Sequence, residues 1–407
     1  MKTLLILGGG IAQLGLIKTA KSMGHKVIVV GINGDYPGYQ IADKVYYVDI
    51  FDKEAVLKVA LKESIDGVCM ACSDFALSTL GYINDKLGLM GLTEQCADNS
   101  SDKFKMKKLL KEGNVPTPKF DVLKNDTDVD KVVSELSFPV IVKAVDLHGS
   151  RGIYICKEER DLKENYKKSI KESRHNYCIV EEFLEGEEFG TQAFVQNGKV
   201  LFVIAHGDII KHSNNCNVPI GHYMPLYCNN DSRNEEIRVV VEKSIYAMGF
   251  DNCAVNVDLI EKDGKPYVIE LTGRAGANSL PELMSKYLGF NYYEMIITNA
   301  LGNSVKSFMD RSIVTKDLCV MARQLFSSKE GFIRKISYGV LNSAATLDLF
   351  VKEGSYVRKF TNSADCIGRI IYKGKNYNEC NLYLDSFVEE LDFEIDSNSI
   401  EGGSCFE

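Results

Sequence analysis

The sequence predicts an α/β protein that opens with a doubly wound, parallel-sheet domain and continues into α+β segments built from hairpins. Three observations carry that reading. An apolar run at residues 3–7 (TLLIL) meets three glycines, then a helical stretch over 12–23 and a second apolar run at 26–30 (KVIVV), the order of a βαβ unit. Apolar runs at 253–261 and 266–271 are joined by Lys262-Asp263-Gly264-Lys265, and Asp-Gly between two such runs signals a hairpin. Residues 317–395 alternate short apolar segments (CVMARQLF, GFIRKI, ATLDLFV, CIGRIIYKG) with turns, and a helix is expected over 376–391.

Taken in order, the first hundred residues continue the βα alternation with a strand near 45–48, a helix over 53–63, a strand near 66–71 and a helix over 75–87. The character changes at Ser101. A lysine-rich helix over 102–112 ends at Gly113, and Val115-Pro116-Thr117-Pro118 is extended, because the residue before proline is pushed out of the α region. Strands follow at 139–145 and 152–156 around a glycine loop, then a charged helix over 158–173 and strands near 177–181, 190–196 and 199–205. Residues 206–231 show no clear period and are rich in Asn, Gly and Pro, which reads as a long functional loop, the candidate substrate cover; its His212 and His222 receive no role. Helices are expected over 233–248 and 280–301, and the last eleven residues as a frayed end.

Composition narrows the function. A chain of 407 residues has room for two to four domains. Its net charge is −8 with no basic block, which argues against a nucleic-acid partner. The apolar stretch Leu4–Leu7 is too short for a signal sequence, and no run of about 18 apolar residues offers a membrane span. Twelve scattered cysteines fit a reducing compartment, so the expected location is cytoplasmic. Cys69 and Cys72 form a CxxC with no second pair to complete a zinc site, and read as buried cysteines at a strand end.

An acidic protein that binds an anionic nucleotide must build a local positive site, and four segments offer one. Asp102-Lys103 opens a helix, and Lys143 lies in the apolar strand Pro139-Val140-Ile141-Val142-Lys143-Ala144, where a lysine is costly to bury unless it meets an anion. His148-Gly149-Ser150-Arg151-Gly152 joins two strands and can bring backbone N–H groups close to phosphate oxygens; read alone it is equally a glycine-bearing hairpin. Ile179-Val180-Glu181-Glu182-Phe183-Leu184 runs into Gly186-Glu187-Glu188-Phe189, a strand and linker suited to a flat base with a carboxylate nearby for ribose hydroxyls. Asp258 and Glu270 lie on the two strands of the Asp263-Gly264 hairpin, between apolar neighbours that point them inward, so both can share a divalent cation of the oxygen-seeking kind. Strand alternation places Asn256 with Asp258 and Glu270 with Thr272, and Arg274 follows as a fixed cation. The glycines Gly8-Gly9-Gly10, with Gly15, suit a tight turn or a substrate phosphate; an NAD site is disfavoured because no carboxylate ends the second strand before Asp35.

In this order the motifs resemble the ATP-grasp superfamily of ligases, over residues 1 to about 305. The resemblance implies an ATP-grasp fold: a pre-ATP-grasp domain over 1–100, an ATP-grasp domain over 101–308 with a moving lid at about 120–178, and a small C-terminal α+β domain over 309–407. It implies ATP and Mg2+ (or Mn2+) as cofactors. Lys103 and Lys143 then bind phosphates, with His148, Gly149, Ser150, Arg151 and Gly152 as a flap over them. Glu181, Phe183 and Leu184 contact adenine and Glu188 the ribose; Asp258 and Glu270 hold the metal, with Thr272 where the family pattern has Asn; Arg274 faces phosphate or carboxylate. Residues 274–283 (RAGANSLPEL) and the C-terminal segment are similar to bacterial L-amino-acid ligases, which implies small-molecule carboxylate and amine substrates and a homodimer. Gly9, Gly10 and Arg323 are candidate substrate contacts, Arg323 equally a surface arginine on a strand. Three activities remain open: a ligase of amino acids or similar molecules through an acyl-phosphate; a purine-pathway ligase acting on a ribonucleotide or bicarbonate, which needs a phosphate site such as Gly8–Gly10; and a nucleotide-binding regulator without turnover.

Overall fold

The structure is a computed structural model that describes residues 1–147, 151–213, 216–228, 230–312 and 318–396. His148, Gly149 and Ser150 of the expected flap, and the C-terminal end from 397, lie outside the described residues. The chain divides into two compact units: Met1–Ala205, Asn230–Gly276 and Tyr293–Asp310 form one, and His206–Asn229, Ala277–Tyr292 and Arg311–Glu407 the other.

The first unit opens with β1 (Thr3–Leu7), α1 (Ile11–Ser22), β2 (Lys26–Gly31), β3 (Lys44–Tyr47), α2 (Lys53–Glu63), β4 (Gly67–Cys69) and α3 (Leu77–Leu87). The four strands form a parallel sheet in the order β3-β2-β1-β4. Leu4–Leu7 and Val27–Val30 are buried without alternation, as expected where both faces of a parallel sheet are covered. Burial pushes the Cys69 thiol up to about 12, so Cys69 is not poised as a thiolate, and Cys72, expected buried, is half-buried.

Helix α2 ends on a carboxylate, against the preference of the helix dipole. Glu63 is nevertheless well held: it accepts hydrogen bonds from Lys26 (2.8 Å), Lys44 (2.6 Å) and the Tyr46 hydroxyl (2.5 Å). These donors, Lys26 first, lower its pKa from 4.5 to about 2. A depressed carboxylate pKa contributes stability that is present above 4.5 and lost as pH falls through about 2. The stability gap between wild type and Glu63→Gln is therefore expected to be widest above pH 4.5 and to close toward pH 2, measured by denaturant unfolding across that range. A gap independent of pH would contradict the assigned role.

After α4 (Glu94–Ser100) comes α5 (Lys103–Glu112), whose start is set by Asp102: its carboxylate accepts from the amides of Phe104 (3.0 Å) and Lys105 (3.1 Å). Next come β5 (Phe120–Leu123), α6 (Asp126–Glu135), β6 (Val140–Ala144), β7 (Ile153–Cys156), α7 (Glu159–Glu172) and β8 (Cys178–Glu182), with an antiparallel sheet in the order β5-β8-β6-β7. Helix α6, which hydrophobic period did not indicate, is announced by its reciprocal Asn125–Asp128 capping box.

The chain continues through β9 (Glu187–Gln196), β10 (Lys199–Ser213), β11 (Cys216–Met224), α8 (Asp231–Met248), β12 (Cys253–Lys262) and β13 (Lys265–Thr272). Strand β12 pairs antiparallel with both β9 and β13. The turn residues Asp263 and Gly264 have φ of +51° and +72°, the mirror turn that matches strand twist. The expected helix over 280–301 is two helices, α9 (Leu280–Leu288) and α10 (Tyr292–Ala300), because Gly289 ends the first at φ +80°; the short α11 (Lys306–Asp310) follows.

In the second unit β14 (Cys319–Phe326), β15 (Gly331–Ser337), β16 (Ala345–Leu349), β17 (Tyr356–Val357), β18 (Cys366–Gly374), α12 (Tyr377–Glu390) and β19 (Asp392–Asp396) complete the chain. The end of β10 pairs with β11, and the order runs on through β14, β18 and β16; β17, β15 and β19 form a separate sheet. The long loop expected over 206–231 is thus largely an antiparallel hairpin. Its alternation is weakened as a hydrophobicity pattern because His206 and His222 share the buried positions with Val218 and Met224. Among the described residues no helix is long and apolar enough to cross a membrane.

Candidate functional site

The site grows from α5. Lys103 is buried, and its ammonium donates to the Leu147 carbonyl at 2.7 Å and lies 3.4 Å from Glu270. One helical turn on, Lys107 is fully buried, donates to Thr117 Oγ1 (2.8 Å) and the Val268 carbonyl (3.1 Å), and lies 3.2 Å from Glu181 Oε2. Lys143 on β6 donates to the same oxygen at 3.1 Å. Burial works to raise the pKa of Glu181, and the two ammonium groups outweigh it, keeping the carboxyl below its ordinary value. Two cations thus share one anion, which supplies the local positive charge that an acidic chain needs. Glu181 Oε1 is buried and has no hydrogen-bond partner among the described residues.

The linker after β8 lies against the same strands. The Glu182 amide donates to Lys119 (2.8 Å) and the Phe183 amide to Pro139 (3.3 Å). Leu184 is buried and Glu188 is exposed. A Cβ at Gly186 would collide with the Glu261 carbonyl, so this linker can approach β12 only as glycine. Arg151 is exposed, and buried Gly152 takes φ +66° against the Ala144 methyl.

Asp258 and Glu270 are direct cross-strand partners, as are Asn256 and Thr272. The expectation that both carboxylates point inward needs correction: Asp258 is exposed and Glu270 half-buried. The register slips by one residue on β13 beside this pair, whereas β12 stays in register with β9 through Asp258 and Leu259. Asp258 is aimed by a relay: the Gly276 amide donates to Gln192 (2.9 Å), Gln192 to Asn256 (2.6 Å) and Asn256 to Asp258 (3.0 Å).

Asp74, on the loop after β4, gathers the next two candidates. The Thr272 hydroxyl donates to its Oδ1 (2.8 Å), and Arg274 grips both oxygens, Nε at 2.8 Å and Nη2 at 2.6 Å. Sequence reasoning missed Asp74 because it lies 200 residues before Arg274; Lys107 could have been found, four residues beyond Lys103 on the same helix face. Truncating Asp74 to alanine leaves a buried guanidinium without that partner, a loss of about 3 kcal/mol in stability. Asp74→Ala is expected to lower the unfolding temperature, with Asp74→Glu retaining more of it; an unchanged unfolding temperature would contradict the role given to Asp74.

Two expected substrate contacts have structural occupations. The Tyr39 ring covers Gly9, where a Cβ would run into it, and the Gly9 carbonyl accepts from Gly38 at 2.9 Å. Gly10 begins α1 with open space at its Cα, whereas Gly15 is closed over by the Tyr293 ring. In the second unit, Arg323 Nη2 donates to Asn381 (2.7 Å) and Asp385 (2.9 Å) and so ties β14 to α12.

The model of the phosphoribosylglycinamide synthetase ATP-grasp (A) domain matches residues 101–280. Phosphoribosylglycinamide synthetase from Anaerococcus prevotii is 38% identical, with 97% of this chain and 100% of that chain covered and a TM-score of 0.86. The chain belongs to the ATP-grasp family. The ATP-grasp fold expected from the motifs is the one observed. L-amino acid ligase from Bacillus licheniformis shares it at 21% identity, TM-score 0.79, covering 98% of this chain and 99% of that one. The carbamoyl phosphate synthase large chain of Clostridium botulinum is 24% identical in an alignment that covers 67% of this ATP-grasp chain. The chain spans about a quarter, 27%, of the length of that curated relative.

Proposed function

We propose that the protein is an ADP-forming ligase that joins the carboxylate of an amino acid or similar small molecule to an amine. The observation that carries this is the 3.4 Å approach of Lys103 to Glu270, which puts the buried lysines and the paired carboxylates in one site. A carboxylate oxygen of the substrate attacks the γ-phosphorus of ATP, ADP leaves, and an acyl-phosphate forms. The amine nitrogen then attacks the carbonyl carbon, phosphate leaves, and the nitrogen gives up a proton. No protein nucleophile takes part.

Lys103 and Lys143 hold phosphate oxygens, joined by Lys107 through its shared partner Glu181. Fixed charges of this kind act by positioning and by stabilising charge already dispersed over the transferring group. The backbone of Phe183 and Leu184 borders the base, the orphaned Glu181 Oε1 suits an exocyclic amino donor, and Glu188 the ribose. Arg274, oriented by Asp74, faces the phosphate or the substrate carboxylate. Asp258 and Glu270 form a hard oxygen pair directly opposite one another, a repulsive placement that Mg2+ or Mn2+ offsets. That ion would neutralise charge on the phosphates. Thr272 completes the set through a lone pair or yields to water, since its proton goes to Asp74. Gly10, Arg323, Arg151 and the flap residues His148, Gly149 and Ser150 keep their proposed contacts, the three-part domain division and mobile lid belong to the same reading, and so do a homodimeric assembly and a cytoplasmic location.

An amino acid is favoured over a ribonucleotide because the packing of Tyr39 accounts for Gly9 without a phosphate. The second reading, a ribonucleotide amine, is favoured by the 38% identity to the phosphoribosylglycinamide synthetase. ADP and phosphate release from the purified chain with Mg-ATP, against pools of amino acids and of phosphoribosylamines, separates them. Release that requires amino-acid pairs supports the proposal. Release that requires a phosphoribosylamine together with an amino acid transfers it to the second reading, and ATP binding without release under every pool leaves the regulator.

A further inference from the structure

The second unit carries a cluster that none of this chemistry uses. His206 and Asp208 stand two residues apart on β10 and so project to one face of the strand, and His222 on β11 is the direct cross-strand partner of Asp208. Both imidazoles turn Nδ1 to the same carboxylate oxygen, at 3.1 Å from His206 and 2.7 Å from His222. The rings meet edge to face with centroids 5.2 Å apart. Three donor atoms, one from each residue, lie within 4.8 Å of one another.

We propose that His206, Asp208 and His222 form a binding site for a divalent transition-metal ion of the zinc type. Donors that share one such ion at about 2.0–2.1 Å stand about 3 Å apart, close to the 3.1 and 2.7 Å between Asp208 and the two imidazoles. Two imidazoles and one carboxylate are a borderline set that Mg2+ does not seek and Zn2+ does. With both Nδ1 atoms aimed at one carboxylate oxygen, an ion bound by all three atoms takes the place of the two bridging protons. Histidines at 2% and 4% exposure surrounding a carboxylate also leave its charge to be balanced within the cluster, which a divalent ion does. The backbone register, rather than flexible loops, sets all three positions. Three protein ligands leave a fourth tetrahedral position, and the partial exposure of Asp208, 24% of its side chain, gives that position a route to water or to an anionic group.

The site is tested on the full chain stripped with a chelator and then dialysed against Zn2+, with Mg2+ in excess to occupy oxygen-only sites. About one Zn2+ per chain is expected by elemental analysis, with a rise in unfolding temperature. Co2+ in its place is expected to give the visible absorption of a four-coordinate ion with nitrogen ligands. His206→Gln, Asp208→Asn and His222→Gln should each weaken binding by at least about 100-fold, while His25→Gln and His175→Gln keep it. Circular dichroism separates lost ligands from lost fold. Should the variants not fold, the Co2+ spectrum of the wild type decides alone: an oxygen-only spectrum overturns the proposal. It is also overturned by a stripped wild type that takes up neither ion at micromolar concentration, which would mean that a proton balances Asp208, or by a triple variant that binds as the wild type does.

Discussion

Replacing Glu270 with glutamine is expected to lower ATP-dependent phosphate release by about 10²–10³-fold while nucleotide still binds. Glu270 touches both halves of the proposed site. It faces Asp258 across the β12–β13 ladder, and its carboxylate lies 3.4 Å from the Lys103 ammonium. The amide keeps the size of the side chain and removes its charge. Lys103 retains the Leu147 carbonyl, so the helix start is undisturbed. The loss therefore falls on the cation that the two carboxylates would hold, and through it on stabilisation of the transferring phosphoryl group. The divalent-ion concentration needed for half-maximal turnover should rise in parallel, and Asp258→Asn should behave alike. Steady-state phosphate release and ADP binding by calorimetry measure the two effects. Turnover within a few-fold of wild type would place the metal elsewhere.

Glu181→Leu is expected to be the most destabilising single change in the site, by about 3–5 kcal/mol. The carboxylate is 1% exposed and is shared by Lys107, which is fully buried, and Lys143, at 6%. Removing it leaves two ammonium groups in the interior, where an unpaired charge costs far more than a broken hydrogen bond. Combining the change with Lys107→Met should recover part of the loss, because one of the stranded charges goes with it; the double-mutant cycle then reports the coupling. The pH dependence has a definite sign. The folded-state pKa of Glu181 is lowered, so its contribution is present above the ordinary carboxylate value of 4.5 and fades as pH falls through the folded value. Denaturant unfolding of wild type and Glu181→Gln should show a gap at neutral pH that narrows in acid. Equal stabilities at pH 7 would mean that the lysines find other partners.

Much of the site was legible because its parts sit at element boundaries with strong local signatures. Asp102 caps α5 and so places Lys103 and Lys107 on the helix face; Asp263-Gly264 forces the turn that sets Asp258 opposite Glu270. Lys143 and Glu181 stand out as ionisable residues inside apolar strands, and a charge buried in such a strand needs a partner. That Glu181 serves two lysines at once was not legible. Its partners come from a helix and a strand 74 and 38 residues away, and nothing in the local sequence fixes which charges meet. The exposure of Asp258 was not legible either, because Val257 and Leu259 on both sides of it are buried and the apolar run carries no sign that this position faces solvent.

The amino-acid sequence by itself determined the parallel βαβ beginning, the hairpin that pairs the carboxylates, and the order of motifs that places the chain in the ATP-grasp family. These depend on contacts near in sequence: caps, turns and the period of apolar residues. The tertiary structure alone decided that Asp74 holds Arg274 and Thr272, that Tyr39 and Tyr293 fill the space over Gly9 and Gly15, and that His206, Asp208 and His222 converge in a segment with a weakened apolar pattern. Each of these depends on which surfaces pack together, and the energy of a buried polar group is set by the partner it finds there.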